Sequence, residues 1–183
     1  MQAIRTLPDT KLSRHFSRYE MIEAKLPVVR DNRGNIIADA KAMNWKNIAE
    51  YNEARYVALC IRMDEVRAVI NKQFRSDVNA SRDIGLLVTS AFRCREWELY
   101  RRRNGTSQHC VGAAVDVQPT NCSPELAVKI IAWLKEKYWP TASGWKGGFA
   151  IKEPTLGRSG EISAVGFAHF DNRAANARWT YPK

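Results

Sequence analysis

The stretch of this chain best equipped for chemistry is Ser107-Gln108-His109-Cys110-Val111-Gly112-Ala113-Ala114-Val115-Asp116, which sets an imidazole seven residues ahead of a carboxylate. Both groups are ordinary ligands for a divalent metal, with zinc bonds of roughly 2.0–2.2 Å. Gly112 lets the backbone turn sharply, and the small Ala113 and Ala114 let backbone pass close to a bound group. Two ligands do not make a site, so a third must come from elsewhere. Of the three histidines, His15 lacks a comparable setting, whereas His169 lies in the alternating segment GFAHFDN. On a strand, His169 and Asp171 share one face, with Phe167 beside them. Two histidines and one aspartate leave the fourth zinc position open, the arrangement of a catalytic site.

These residues need elements to carry them. The apolar positions Tyr56, Leu59, Met63, Val66 and Ile70 recur at helical spacing and predict a long packing helix over 47–74. Before it, LSRHFSRYEMI (12–22) reads as a short strand or turn entering a helical turn. VVRDNRGNIIA (28–38) reads as a hairpin around Asp31 to Asn35. After a polar loop over 76–83, GLLVTSAFR has the character of a buried strand, and a second helix is expected over 96–103. NGTSQH is a loop and AAVDV (113–117) a short strand. Ser123-Pro124 opens a third helix, serine capping and proline at the first helical position, with Ala127, Ile130, Ile131 and Leu134 inward. GGFAI (147–151) and AVGFAHFDN (164–172) read as two strands, joined by a loop carrying Pro154, Gly157 and Gly160. Helices and short strands mix without a βαβ rhythm, so the expected class is α+β.

The length of 183 residues suits one domain, here expected as 1–183 with residues 1–46 forming an N-terminal arm and hairpin packed on it. A hydrophobic fraction of 45% with six tryptophans argues for a folded globule. No apolar run has the length of a membrane span, and MQAIRTLPDTKLSRHF does not read as a secretory signal. The four cysteines have no CxxC spacing, which argues against a structural zinc site, and reduced thiols are the default expectation. The net charge of +10 favours polyanionic partners: nucleic acid, anionic lipid or the acidic polymers of a bacterial envelope. Part of the excess is local, in Arg93, Arg95, Arg101, Arg102 and Arg103. Trp133, Trp139, Trp145 and Trp179 read as core or rim packing, with glycan stacking as the functional alternative.

SQHCVGAAVDV resembles the SxHxxGxAxD signature of the D-alanyl-D-alanine carboxypeptidase/endopeptidase family of zinc peptidases, whose fold is shared with lysostaphin-type enzymes and the Hedgehog signalling domain. TSAFR (89–93) is similar to that family's TSGYR segment, LSRHFSRYEMI to its entry LSxNFTxxEF, and FAHFDNR to its ending FVHVDVR. The similarities touch both ends and the middle of the chain in the right order. The resemblance implies a small antiparallel sheet carrying one catalytic Zn2+ on His109, Asp116 and His169, with helices packed on it. It implies that Arg93 binds a substrate carboxylate or the oxyanion, and that Ser107 and Gln108 line the pocket. Metal-activated water would cleave a peptide bond, with an acidic residue moving the proton. Many relatives carry that acid three residues before the last ligand, where this chain has Gly166. Asp171 is then the first candidate for the base, with Glu153 and Glu161 as alternatives. Asp171 can equally be an acceptor that orients His169.

The function these residues suggest is a zinc peptidase cutting stem or cross-link peptides of bacterial peptidoglycan, in the manner of a phage-type lytic enzyme (endolysin). Such an enzyme is a monomer made in the cytoplasm, reaches the wall or periplasm through release by another protein or as part of a virion, and adsorbs through its charge to anionic envelope polymers. Two other classes compete. One is a zinc-fold binding or structural module without turnover, motivated by Gly166. The other is a basic nucleic-acid-binding protein or nuclease, motivated by the charge, although no helix-turn-helix, RNA-binding signature or carboxylate cluster for paired magnesium ions is present.

Overall fold

A computed structural model describes residues 5–78 and 82–182. Residues 79–81, inside the expected 76–83 loop, and residues 1–4 of the N-terminal stretch lie outside the described residues. The chain clusters into two compact units, residues 1–61 with 88–115 and residues 62–87 with 116–183. The class is α+β, as the mixed pattern predicts.

The first unit opens with helix α1 (Arg18–Glu23). The Ser17 side chain accepts from the Glu20 backbone N–H and the Glu20 carboxylate accepts from the Ser17 N–H, so two amides at the helix start are satisfied reciprocally. Strands β1 (Val28–Arg30) and β2 (Ile36–Asp39) pair antiparallel. The turn between them is tied by Asp31, whose carboxylate accepts from the Arg33 and Asn35 amides. Helix α2 (Ala40–Lys46) follows at once, capped by Asp39, and was not foreseen in the sequence. The long helix is shorter than expected: a 3-10 turn at Ile48–Glu50 precedes α3 (Glu53–Phe74). Its predicted apolar face holds, with Tyr56, Leu59, Met63, Val66 and Ile70 all buried. Buried Asn44 on α2 braces the segment after β3 (Gly85–Ser90): its amide donates to the carbonyls of Ile22 and Phe92 at 2.8 Å, and its oxygen accepts from the Cys94 amide. Helix α4 (Arg95–Tyr100) comes next, six residues rather than the eight expected.

Strand β4 (Ala114–Thr120) is followed by α5 (Pro124–Tyr138), which starts where the Ser123-Pro124 pair predicts. Ser123 caps it by accepting from Leu126, and Ala127, Ile130, Ile131 and Leu134 are buried. The chain then forms β5 (Gly148–Lys152), a small hairpin of β6 (Thr155–Leu156) and β7 (Ile162–Ala164), β8 (Phe167–Asp171) and β9 (Ala177–Thr180). Residues 164–172 are thus not one strand. Gly166, at φ +79°, breaks them, and a side chain there would collide with the Lys152 carbonyl. Five strands form a sheet in the order β3-β4-β8-β5-β9. β5 pairs antiparallel with β8 and parallel with β9. One face of β5 and β8 is apolar core: Phe149 and Phe170 contact each other, Tyr138 of α5 packs edge-on against Phe170, and so does Trp145. The other face carries His169 and Asp171.

Among the described residues no disulfide joins the four cysteines, and no helix is long and apolar enough to cross a membrane.

Candidate metal centre

Strand alternation sends Phe167, His169 and Asp171 of β8 to the face opposite the aromatic core. Asp116 reaches the same place from the neighbouring β4. Its Oδ1 lies 2.7 Å from His169 Nδ1, and Oδ2 of Asp171 lies 3.1 Å from His169 Nε2. All three side chains are buried. Burial alone would lower the His169 pKa, but hydrogen bonds to the two carboxylates outweigh it and raise it.

Asp171 is completely buried and heavily engaged. Besides His169, its carboxylate accepts from the Gly148 amide at 2.9 Å, from the Arg173 amide at 3.0 Å, and from Arg173 Nε and Nη2 at 2.9 and 2.6 Å. Burial pushes its pKa up, yet the donors from His169 and Arg173 hold it well below the usual carboxylate range. Gly148 makes this possible, because a Cβ at that position would collide with the Asp171 carboxylate.

His109 sits in a turn closed by hydrogen bonds from the Cys110 amide to the Ser107 carbonyl and from the Ala113 amide to the Gln108 carbonyl. Gly112 is left-handed there, at φ +71°, and a Cβ would press on Asn52 at 3.0–3.1 Å. The buried His109 ring donates from Nδ1 to the Ala91 carbonyl at 2.7 Å. A carbonyl only accepts, so a neutral His109 carries its proton on Nδ1 and its lone pair on Nε2. His169 meets a carboxylate at each ring nitrogen, so either nitrogen can carry the proton, and an ion held together with Asp116 would take the place of a proton on Nδ1.

His109, Asp116 and His169 each offer one ligand atom, and these atoms lie within 4.8 Å of one another. The donor set suits zinc: two imidazole nitrogens and one carboxylate.

The chain matches no family model, no curated protein and no solved structure. The site is therefore read from its own geometry.

Arg93 lies beside His109, its amide donating to the His109 carbonyl at 3.3 Å and its Nη2 to the Ser107 hydroxyl at 3.3 Å. Its Nε is 3.2 Å from the buried carboxylate of Glu98, which also meets Arg103 at 3.2 Å. Gln108 is half-buried in the same turn. The other expected carboxylates lie elsewhere in the second unit. Glu153 is ion-paired with Lys135 at 2.6 Å, and Glu161 is exposed in the β6–β7 turn beside Ser159.

Sequence reasoning missed four contributors. Glu98 and Arg173 are partners of site residues whose roles depend on contacts and not on type. Trp179 and Tyr181, on and just after β9, lie against His169, with the Trp179 ring 4.9 Å from the imidazole and the Tyr181 hydroxyl 3.4 Å from Nδ1.

Proposed function

We propose that this protein is a zinc-dependent peptidase acting on stem or cross-link peptides of bacterial peptidoglycan, in the manner of a phage-type lytic enzyme. The observation that carries the reading is the buried His109–Asp116–His169 cluster with converging ligand atoms. The sequence resemblance around that cluster supplies the substrate class.

When bound, zinc supplies Lewis acidity: it polarises a carbonyl and lowers the pKa of water to about 7. The chain does the rest. Asp171, locked by Arg173 and the Gly148 amide, orients His169 and keeps its remaining proton on Nε2. A carboxylate so engaged and buried is a poor proton shuttle, which makes Asp171 a positioning residue in this reading. Arg93, held between Glu98 and Ser107, presents its guanidinium to a substrate carboxylate or to developing negative charge. Ser107 and Gln108 line the same turn. The net charge of +10 draws the protein to anionic wall polymers.

Digestion of defined peptidoglycan, followed by mass spectrometry of the released peptides, tests the reading. Wild type loaded with zinc releases stem-peptide fragments, and His109→Ala loses both metal and activity. A second reading, a binding module on the same site, is favoured by one observation: Gly166, where many relatives carry the acid, is a backbone break that admits no side chain. Tight wall binding by the zinc-loaded protein with no released peptide selects that reading.

A further inference from the structure

Three strands bring an aromatic wall to His169. In the β5–β8 register Ala150 faces His169, and in the β5–β9 register Ala150 faces Trp179. Partners in register point to the same face, so Trp179 and His169 flank Ala150 on the face that carries the ligands. The methyl group of Ala150 is too small to separate them, and the two rings meet across the intervening strand at 4.9 Å. Tyr181 lies two residues beyond Trp179, and its amide donates to the Ile151 carbonyl, which extends the β5 pairing past the end of β9. Its ring packs on Phe167 at 5.0 Å. That contact fixes the ring and brings its hydroxyl to 3.4 Å from Nδ1 of His169, the nitrogen that also faces Asp116.

This geometry does not suit a role in holding His169. Asp116 and Asp171 already grip the ring at 2.7 and 3.1 Å, whereas 3.4 Å is at the long limit for a hydroxyl hydrogen bond. The three ligands are buried, while Tyr181 is half-buried and so borders solvent next to them. A tyrosine there presents an O–H donor on a stem with only two side-chain torsions, both restricted by Phe167 and Trp179.

We propose that Tyr181 is a catalytic residue: its hydroxyl donates a hydrogen bond to the carbonyl oxygen of the scissile peptide and strengthens it as negative charge builds there. The proton stays on the phenol throughout, so the contribution is electrostatic and no bond to Tyr181 forms or breaks. Trp179 and Phe167 are the positioning residues that hold the phenol. The proposal rests on the peptidase reading above and adds to it an electrophilic group supplied by the chain itself.

Tyr181→Phe tests it, because the ring and its packing remain. Zinc content, thermal unfolding, kcat and KM on defined peptidoglycan are compared with wild type. So is binding, by calorimetry, of a phosphinate analogue of the bond that wild type cleaves. The expected result is unchanged zinc content and melting temperature, KM within about twofold, and kcat lower by about 10²-fold, the scale of losing one oxyanion donor. The phosphinate, which carries the tetrahedral oxyanion, weakens by a similar factor. Trp179→Ala gives a smaller loss in kcat than Tyr181→Phe, through a loosened phenol. A Tyr181→Phe enzyme with kcat within twofold of wild type overturns the assignment and leaves the peptidase reading standing. Loss of zinc from Tyr181→Phe also overturns it, by making the tyrosine a metal-holding group. Zinc-loaded wild type that releases no wall peptide overturns the peptidase reading, and this proposal with it.

Discussion

Glu98 in the first unit and Asp171 in the second are both buried carboxylates facing arginine, yet they are held very differently. Glu98 meets only long, flexible cations: Arg93 and Arg103, each at 3.2 Å. Asp171 is gripped by two backbone amides and by Arg173 two residues on, with Arg173 Nη2 at 2.6 Å, and it passes one contact to His169. Backbone donors cannot rotate away, so Asp171 fixes an imidazole in place. Side-chain donors can exchange partners, so Glu98 tethers a guanidinium while leaving its far nitrogen at the Ser107 hydroxyl. A metal ligand needs the first kind of support, whereas a group that must meet an incoming substrate is better served by the second.

The contrast predicts unequal responses to mutation. Asp171→Ala has the largest effect, because it strands the Arg173 cation and the Gly148 amide and releases His169. Stability in urea falls by about 3–5 kcal/mol, the scale of breaking a buried ion pair, and zinc affinity falls at least tenfold. If Asp171→Ala unfolds at the wild-type midpoint, the contrast fails. Glu98→Gln keeps the shape and removes the charge, leaving Arg93 and the more exposed Arg103 with a neutral acceptor in place of the carboxylate. Stability falls by only about 1–2 kcal/mol, zinc content is unchanged, and the effect appears in KM for substrates with a free carboxylate. Loss of zinc from Glu98→Gln would erase the distinction between the two supports.

Local signals in the sequence were reliable where a single residue decides a boundary. Ser123-Pro124 fixes the start of α5, Ser17 and Glu20 fix that of α1, and Asp31 to Gly34 fixes the hairpin. Helix α2 was hidden because seven residues show too few turns for an apolar period. The break at Gly166 was hidden because GFAHFDN alternates well enough to absorb two more residues; only the Lys152 carbonyl pressing on that position reveals it. In the site, the three residues that could hold a metal ion were legible because their types and spacing are unusual in themselves. The part played by Asp171 was left open between base and orienting acceptor. The orienting role proposed for it draws on Gly148, 23 residues away in sequence, which admits the carboxylate and donates to it. Tyr181 and Trp179 escaped for a similar reason: their place beside His169 is a product of register across β9, β5 and β8, which no local pattern encodes.

The central claim is that His109, Asp116 and His169 share one ion. Metal analysis of protein stripped with chelator and dialysed against zinc tests it most directly, run beside His109→Ala, Asp116→Ala and His169→Ala. The account predicts one zinc per chain in wild type and a bound fraction near zero in each variant, with every variant still folded by circular dichroism. A folded His169→Ala or Asp116→Ala protein that keeps a full equivalent of zinc would contradict it.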